Sequence, residues 1–117
     1  MNITYIHEPN DLQCGQAVLA MITGVDINKI ILDCQTERET KFADMKRVLQ
    51  YYGFKLSEER KVANTINDLP DIALLSLETP RCWHWSLYAY GVVYDPEHGV
   101  LNDFPVCNRK YYWEVFN

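Results

Sequence analysis

Long apolar runs are missing from this sequence. No stretch approaches the roughly 18 consecutive apolar residues that a membrane-spanning helix needs, and residues 1–20 lack the basic start of a secretory signal. The expectation is a soluble, cytoplasmic protein with no membrane partner. Basic clusters are equally scarce. None exceeds a pair such as Lys46-Arg47 or Arg109-Lys110, and the formal net charge is −5. An acidic chain without a basic stripe is poorly suited to collecting phosphates, so no nucleic-acid partner is expected. Cysteine is present only at positions 14, 34, 82 and 107, with no Cys-x-x-Cys pair. That spacing argues against a structural zinc site, and the absence of any export signal argues against a disulfide framework. Neither a metal nor a cofactor is expected. Low-complexity tracts, internal repeats and linkers are absent too, so residues 1–117 read as a single domain.

What is present is an apolar content of 48%, enough for a real core. After a short apolar-alternating start (Ile3, Tyr5) comes the turn-rich Glu8-Pro9-Asn10-Asp11. Residues 14–23 read as a helix rich in Ala, Leu and Met, stopped by Gly24. Asp26 is placed to cap a second helix over 27–33, and Phe42, Met45, Val48, Leu49 and Tyr52 fall at helical spacing before Gly53. The pattern then turns to strands: 54–56, 60–62, an apolar 72–77 suited to a central strand, 83–89 and 92–94 around a tight Tyr90-Gly91 turn, and an aromatic 110–116. Helices first and an antiparallel sheet after them make an α+β fold.

Cys14 lies where a turn gives way to a helix, and Gly15 follows it. The unpaired N–H groups of a helix start favour a thiolate over a thiol. Gly15 is expected to leave room for a substrate beside the sulfur, and the Cys14 N–H to face an oxyanion. Such a nucleophile needs a base, and His7, His84 and His98 are the choices. His84 sits in Trp83-His84-Trp85 at the start of the hairpin. A two-residue loop at Tyr90-Gly91 sets residue 95 opposite 86, so His84 and Asp95 share one face on neighbouring strands. A carboxylate there would orient the imidazole. His98, in the turn-like Pro96-Glu97-His98-Gly99, is expected to be exposed. His7, close to Cys14 in sequence, stays a competitor.

Two blocks carry a resemblance to a known family. Residues 11–24, DLQCGQAVLAMITG, resemble the Cys-Gly helix of the double-glycine leader (bacteriocin-processing) peptidases and their small free-standing bacterial and phage relatives. Residues 84–96, HWSLYAYGVVYDP, are similar to that family's His-bearing strand and the strand after it that ends in Asp-Pro. The resemblance implies a papain-like cysteine peptidase fold, with N-terminal helices packed on a C-terminal antiparallel sheet. It implies Cys14 as nucleophile, His84 as general base and Asp95 as orienting acid. The family also uses a glutamine six residues before the cysteine to hold the oxyanion, a position that is Glu8 here. An ionised carboxylate would repel an oxyanion, so Glu8 serves there only if protonated, and Gln13 is the other amide at hand. Between residues 1 and 117 there is none of the membrane or ATPase machinery of the exporters, so leader cleavage is not implied.

The leading expectation is a thiol enzyme acting on a peptide, amide or thioester bond through an acyl-Cys14 intermediate: a peptidase, deamidase or acyl transferase with a peptide or protein substrate. The rival is a catalytically silent papain-like module that binds a protein or small metabolite, for example in phage–host conflict. Glu8 speaks for it, as do the aromatics Trp83, Trp85, Tyr88, Tyr90, Tyr111, Tyr112 and Trp113, if they form a surface rather than strand core. Metal-assisted hydrolysis has little support, because its ligands are scattered along the sequence. Nothing in the sequence specifies an oligomeric state.

Overall fold

The architecture was taken from a computed structural model, which describes residues 2–117. Helix α1 (Cys14–Thr23) is buried from Cys14 to Ile22, as befits its run of small and aliphatic residues. It stops at Gly24, whose φ of 73° is the left-handed conformation that glycine adopts without a Cβ penalty. Helix α2 (Ile27–Cys34) starts at Asp26, whose carboxylate accepts from the Asn28 N–H at 3.0 Å. Helix α3 (Phe42–Tyr51) starts where the Asp44 carboxylate accepts from the Lys41 N–H, also at 3.0 Å. Its inward face is Met45, Val48 and Leu49.

Seven antiparallel strands follow: β1 (Lys55–Leu56), β2 (Lys61–Val62), β3 (Ile72–Glu78), β4 (Trp83–Ala89), β5 (Val92–Asp95), β6 (Gly99–Leu101) and β7 (Lys110–Phe116). The order across the sheet is β1-β7-β3-β4-β5-β6, with β2 also on β7. Strand β3 is central, as its apolar run predicts. Strands β1 and β2 are two residues each, shorter than the sequence predicts, because each has only one end of β7 to pair with. Strand β6 was not expected from sequence: it is three residues long and follows the turn after Asp95. Residues 2–13 form no strand, and Ile3, Tyr5 and Ile6 pack on the core as coil.

Alternation along the strands divides the core in two. Leu74, Leu87, Trp113 and Val115 face the helices, against Val18, Leu19, Met21, Ile30, Met45 and Leu49. Ala73, Leu75, Leu77, Tyr88 and Val93 face the other way, under Ile66, Leu69, Leu101 and Phe104. Burying both faces ties the sheet between the helices and the later loops. The β4–β5 hairpin is a two-residue turn with positive φ at both Tyr90 (48°) and Gly91 (89°), the type that matches the natural strand twist. It pairs Ala89 with Val92, Tyr88 with Val93 and Leu87 with Tyr94.

Candidate functional site

Helix α1 packs against β4, and its first residue meets the start of that strand. The main-chain N–H of Trp85 points at Cys14 Sγ across 3.5 Å. No side chain caps the helix, so its first-turn N–H groups are free beside the sulfur. His84 is buried, and its Nε2 lies 2.9 Å from Asp95 Oδ1. The hairpin produces this contact by the parity expected of it: with Leu87 opposite Tyr94, residues 84 and 95 fall diagonally on one face.

Asp95 is fully buried and sits at a turn. Its Oδ1 also accepts from the main-chain N–H of Glu97 (3.0 Å) and of His98 (2.9 Å). Burial opposes its ionisation, yet the bond to His84 outweighs it and holds the carboxyl down to about 2. For His84, burial opposes the charged form, but the Asp95 carboxylate and the Cys14 sulfur raise the imidazole to about 10. The geometry thus favours a charged imidazolium between an acid and a sulfur.

The cleft beside these groups encloses about 340 Å³ and is lined by Leu12, Cys14, Thr40, Trp83, His84 and Trp85, with Asp11, Glu39, Ser76 and Cys82 at its margins. Its far wall is the segment between α2 and α3. Gln16, fully buried in α1, donates through Nε2 to the carbonyls of Thr36 (3.2 Å) and Arg38 (2.8 Å). Gln13 Nε2 donates to the Glu37 carbonyl at 3.1 Å, and the Trp85 indole N–H donates to the Thr40 carbonyl at 3.0 Å. Two sequence expectations change here. One N–H of the Gln13 amide is engaged in holding this wall, so at most the other is open to an oxyanion. Gly15 does not open space for a substrate: a Cβ there would lie 1.8 Å from Thr40 Oγ1, so glycine is needed for Thr40 to close on the helix.

Glu8 is buried, its N–H donating to the Pro96 carbonyl at 2.9 Å, and its Oε1 has no partner among the described residues. Burial raises its carboxyl above the ordinary range. His84 opposes that rise, while Glu97, Asp11 and Asp95 add to it. His7 is exposed, its ring donating to the Glu8 carbonyl at 2.8 Å, and it does not line the Cys14 cleft.

His98 was expected only to be exposed, as it is, and Arg81 was not picked out from the sequence. His98 Nδ1 lies 3.0 Å from Asp95 Oδ1, although the side chain is 42% exposed. The signal was available: an aspartate opening a turn folds the residue three positions on back toward itself. Arg81 bridges Glu97 (2.6 Å) and Asp11 (3.0 Å) at the cleft rim. The expectation of scattered metal ligands also needs amending, since the fold brings His84, Asp95 and His98 within 4.8 Å of one another, as it does Glu8, Asp11 and Glu97. In the first trio the contacts to Asp95 are already made as hydrogen bonds, and in the second Arg81 supplies the cation.

The aromatics divide. Trp85 and Trp113 (ring centroids 5.9 Å apart) and Phe42 on Trp113 (4.5 Å) belong to the core, and Tyr88 is buried. Trp83 stacks on Tyr111 at 5.9 Å on the surface, with the Arg60 guanidinium over Tyr111. Cys34 is buried, its thiol pushed up to about 11 by that burial, and Cys82 is exposed; all four cysteines are free.

No protein-family model matches this chain, and no curated protein sequence does. Among solved structures it is similar to a double glycine motif protease from an AMS/PCAT transporter, determined in complex with the leader peptide. The likeness has a TM-score of 0.71 at 15% identity and covers 97% of this chain and 91% of that one. The fold is that of a papain-like peptidase domain. At that identity the likeness carries architecture: three helices on a seven-stranded antiparallel sheet, α+β. Among the described residues no helix is long and apolar enough to cross a membrane.

Proposed function

We propose that this protein is a cysteine-dependent hydrolase or acyl transferase acting on a peptide, amide or thioester bond. The observation that carries the reading is the convergence at the start of α1, where Cys14 abuts β4 and the buried His84–Asp95 pair closes at 2.9 Å. Asp95 holds Nε2, which leaves Nδ1 of His84 for the sulfur. An imidazolium at that nitrogen, together with the free N–H groups of the helix start, favours a thiolate.

The thiolate attacks the substrate carbonyl carbon, forming a C–S bond as the carbonyl electrons move to oxygen. The oxyanion is held by the Cys14 N–H and, in its protonated form, by the carboxyl of Glu8, whose ionisation burial disfavours. His84 gives its proton to the leaving amine or thiol as the C–N or C–S bond breaks. Neutral His84 then takes a proton from water, or from an amine acceptor, which attacks the acyl-Cys14 and releases the sulfur. A peptide is the favoured substrate class. The structural neighbour's leader peptide supports it, and so does a cleft with an apolar floor and an exposed aromatic margin. The buried acid at position 8 also favours a second reading, a binding module with no turnover, and the same experiment separates the two. Acid-quenched mass spectrometry during incubation with peptide amides and peptide thioesters is expected to find an acyl adduct on Cys14. Turnover by Cys14→Ala at the unaltered rate would overturn the enzyme reading, and no adduct with any substrate would favour the binder.

A further inference from the structure

We propose that His98 is a second histidine of this site, a positioning residue that shares the Asp95 carboxylate with His84 and so sets how tightly His84 keeps its proton. The inference rests on the reading of His84 as the base of Cys14.

Four donors converge on one oxygen. Asp95 Oδ1 faces His84 Nε2 (2.9 Å), the N–H of Glu97 (3.0 Å), the N–H of His98 (2.9 Å) and His98 Nδ1 (3.0 Å). The other oxygen, Oδ2, is buried without a partner among the described residues. A carboxylate oxygen offers about two lone-pair sites, so these donors compete for the same electron density. An ionised carboxylate can only accept, and both rings must therefore present an N–H to it. This fixes the proton of His98 on Nδ1.

The opposite nitrogen, His98 Nε2, lies 3.4 Å from Glu97 Oε1, while the other oxygen of that carboxylate, Oε2, pairs with Arg81 at 2.6 Å. Both nitrogens of His98 thus face carboxylates. His98 is 42% exposed against 4% for His84, so it meets solvent while His84 is sheltered. The two rings stand 6.1 Å apart, edge to face. The other polar groups near them include Tyr5, whose hydroxyl donates to the Asp95 carbonyl at 2.6 Å, and Glu8, whose carboxyl feels the His84 charge.

The sign follows from the competition. Each donor on Oδ1 draws charge away from the His84 bond, so losing His98 leaves Asp95 a stronger acceptor and His84 a stronger base. A residue that merely filled the turn would leave the titration of His84 unmoved.

The test is ring-nitrogen NMR of the full chain across pH, for the unaltered protein, His98→Ala and His98→Asn. The expected result is a His84 midpoint about 0.5 pH unit higher in His98→Ala. His98→Asn, whose amide nitrogen can occupy the place of Nδ1, should return it toward the unaltered value. His98 in the unaltered protein should carry its proton on Nδ1. A midpoint that stays or falls in His98→Ala, or a His98 proton on Nε2, would overturn the inference; the second observation needs no variant to fold. A Cys14 that fails to react with iodoacetamide would sink the enzyme reading alone, since the His84 titration is measured without catalysis.

Discussion

The Trp85 main-chain N–H points at the sulfur of Cys14 across 3.5 Å, joining the first residue of α1 to the residue after His84. This contact places a helix-start thiol and a strand-borne imidazole at one edge of a cleft. Much of the proposed chemistry depends on the groups that buttress it, and each can be altered separately.

Glu8 is expected to govern the alkaline side of activity. Its carboxyl is raised by burial, so it donates a hydrogen bond while protonated and turns into a repelling anion once pH exceeds its titration. Glu8→Gln keeps the donor at all pH values. The variant should match the unaltered protein at pH values below the Glu8 titration and exceed it above that titration, by up to about 100-fold in kcat, the scale of one oxyanion donor. Steady-state pH profiles of both proteins measure this, and a variant that is slower throughout would remove Glu8 from the oxyanion site.

Asp95 is expected to serve stability as well as orientation. Asp95→Ala strands two histidine rings and two main-chain N–H groups, and breaking a buried charged pair of this kind costs about 3–5 kcal/mol. Asp95→Asn keeps an acceptor oxygen for the turn but removes the charge. It should fold with a smaller loss while activity drops tenfold or more, toward the roughly 10⁴-fold loss measured on neutralising such an acid in a serine-type triad. Urea unfolding and kcat/KM on the same samples separate the two effects. An Asp95→Asn protein of full activity would show that the carboxylate charge is dispensable.

Gly15→Ala tests the packing that replaced the expected open space. The new methyl would meet Thr40 Oγ1 at 1.8 Å and Met45 Sδ at 3.1 Å. Overpacking a closed site of this kind costs about 1–3 kcal/mol. Adding Thr40→Ala removes the nearest atom and should recover part of that loss, as read by the urea midpoint. Equal stability of Gly15→Ala and the unaltered protein would mean that the wall opens easily.

The helices and the outline of the site were legible because their signals are local. Gly24 and Gly53 stop helices, Asp26 caps one, and Tyr90-Gly91 sets a hairpin parity from which the 84–95 diagonal follows. What was not legible depends on contacts between distant segments. Thr40 on Gly15, and Gln13 and Gln16 on the carbonyls of residues 36–38, arise only when the α2–α3 segment folds over α1. Sequence chemistry identifies such amides as donors without saying which acceptors meet them. Strand β6 is three residues long and pairs only because the Asp95 turn delivers it to β5, so its pattern alone is too short to read.

Stability should fall on the alkaline side through His84. Its folded value, about 10, lies above the 6.5 of an unperturbed imidazole, so the contribution is complete below about pH 6.5 and fades as pH rises toward 10. Asp95 acts at the other end: held at about 2 against an ordinary 3.8, its contribution is complete above that ordinary value and fades as pH falls through 2. Unfolding free energies at pH 6 and pH 9.5 should differ more for the unaltered protein than for His84→Gln. A pH dependence of equal slope in both would show that His84 carries no excess proton affinity in the fold.

The most direct measurement of the central claim is the rate at which iodoacetamide alkylates Cys14 near neutral pH, followed by mass spectrometry in the unaltered protein and in His84→Ala. Cys82, exposed on the same molecule, provides the internal reference. Activation of the sulfur by His84 requires Cys14 to label faster than Cys82 and to lose that advantage in His84→Ala. Labelling of Cys14 no faster than Cys82, or an advantage that survives removal of the imidazole, would contradict the account.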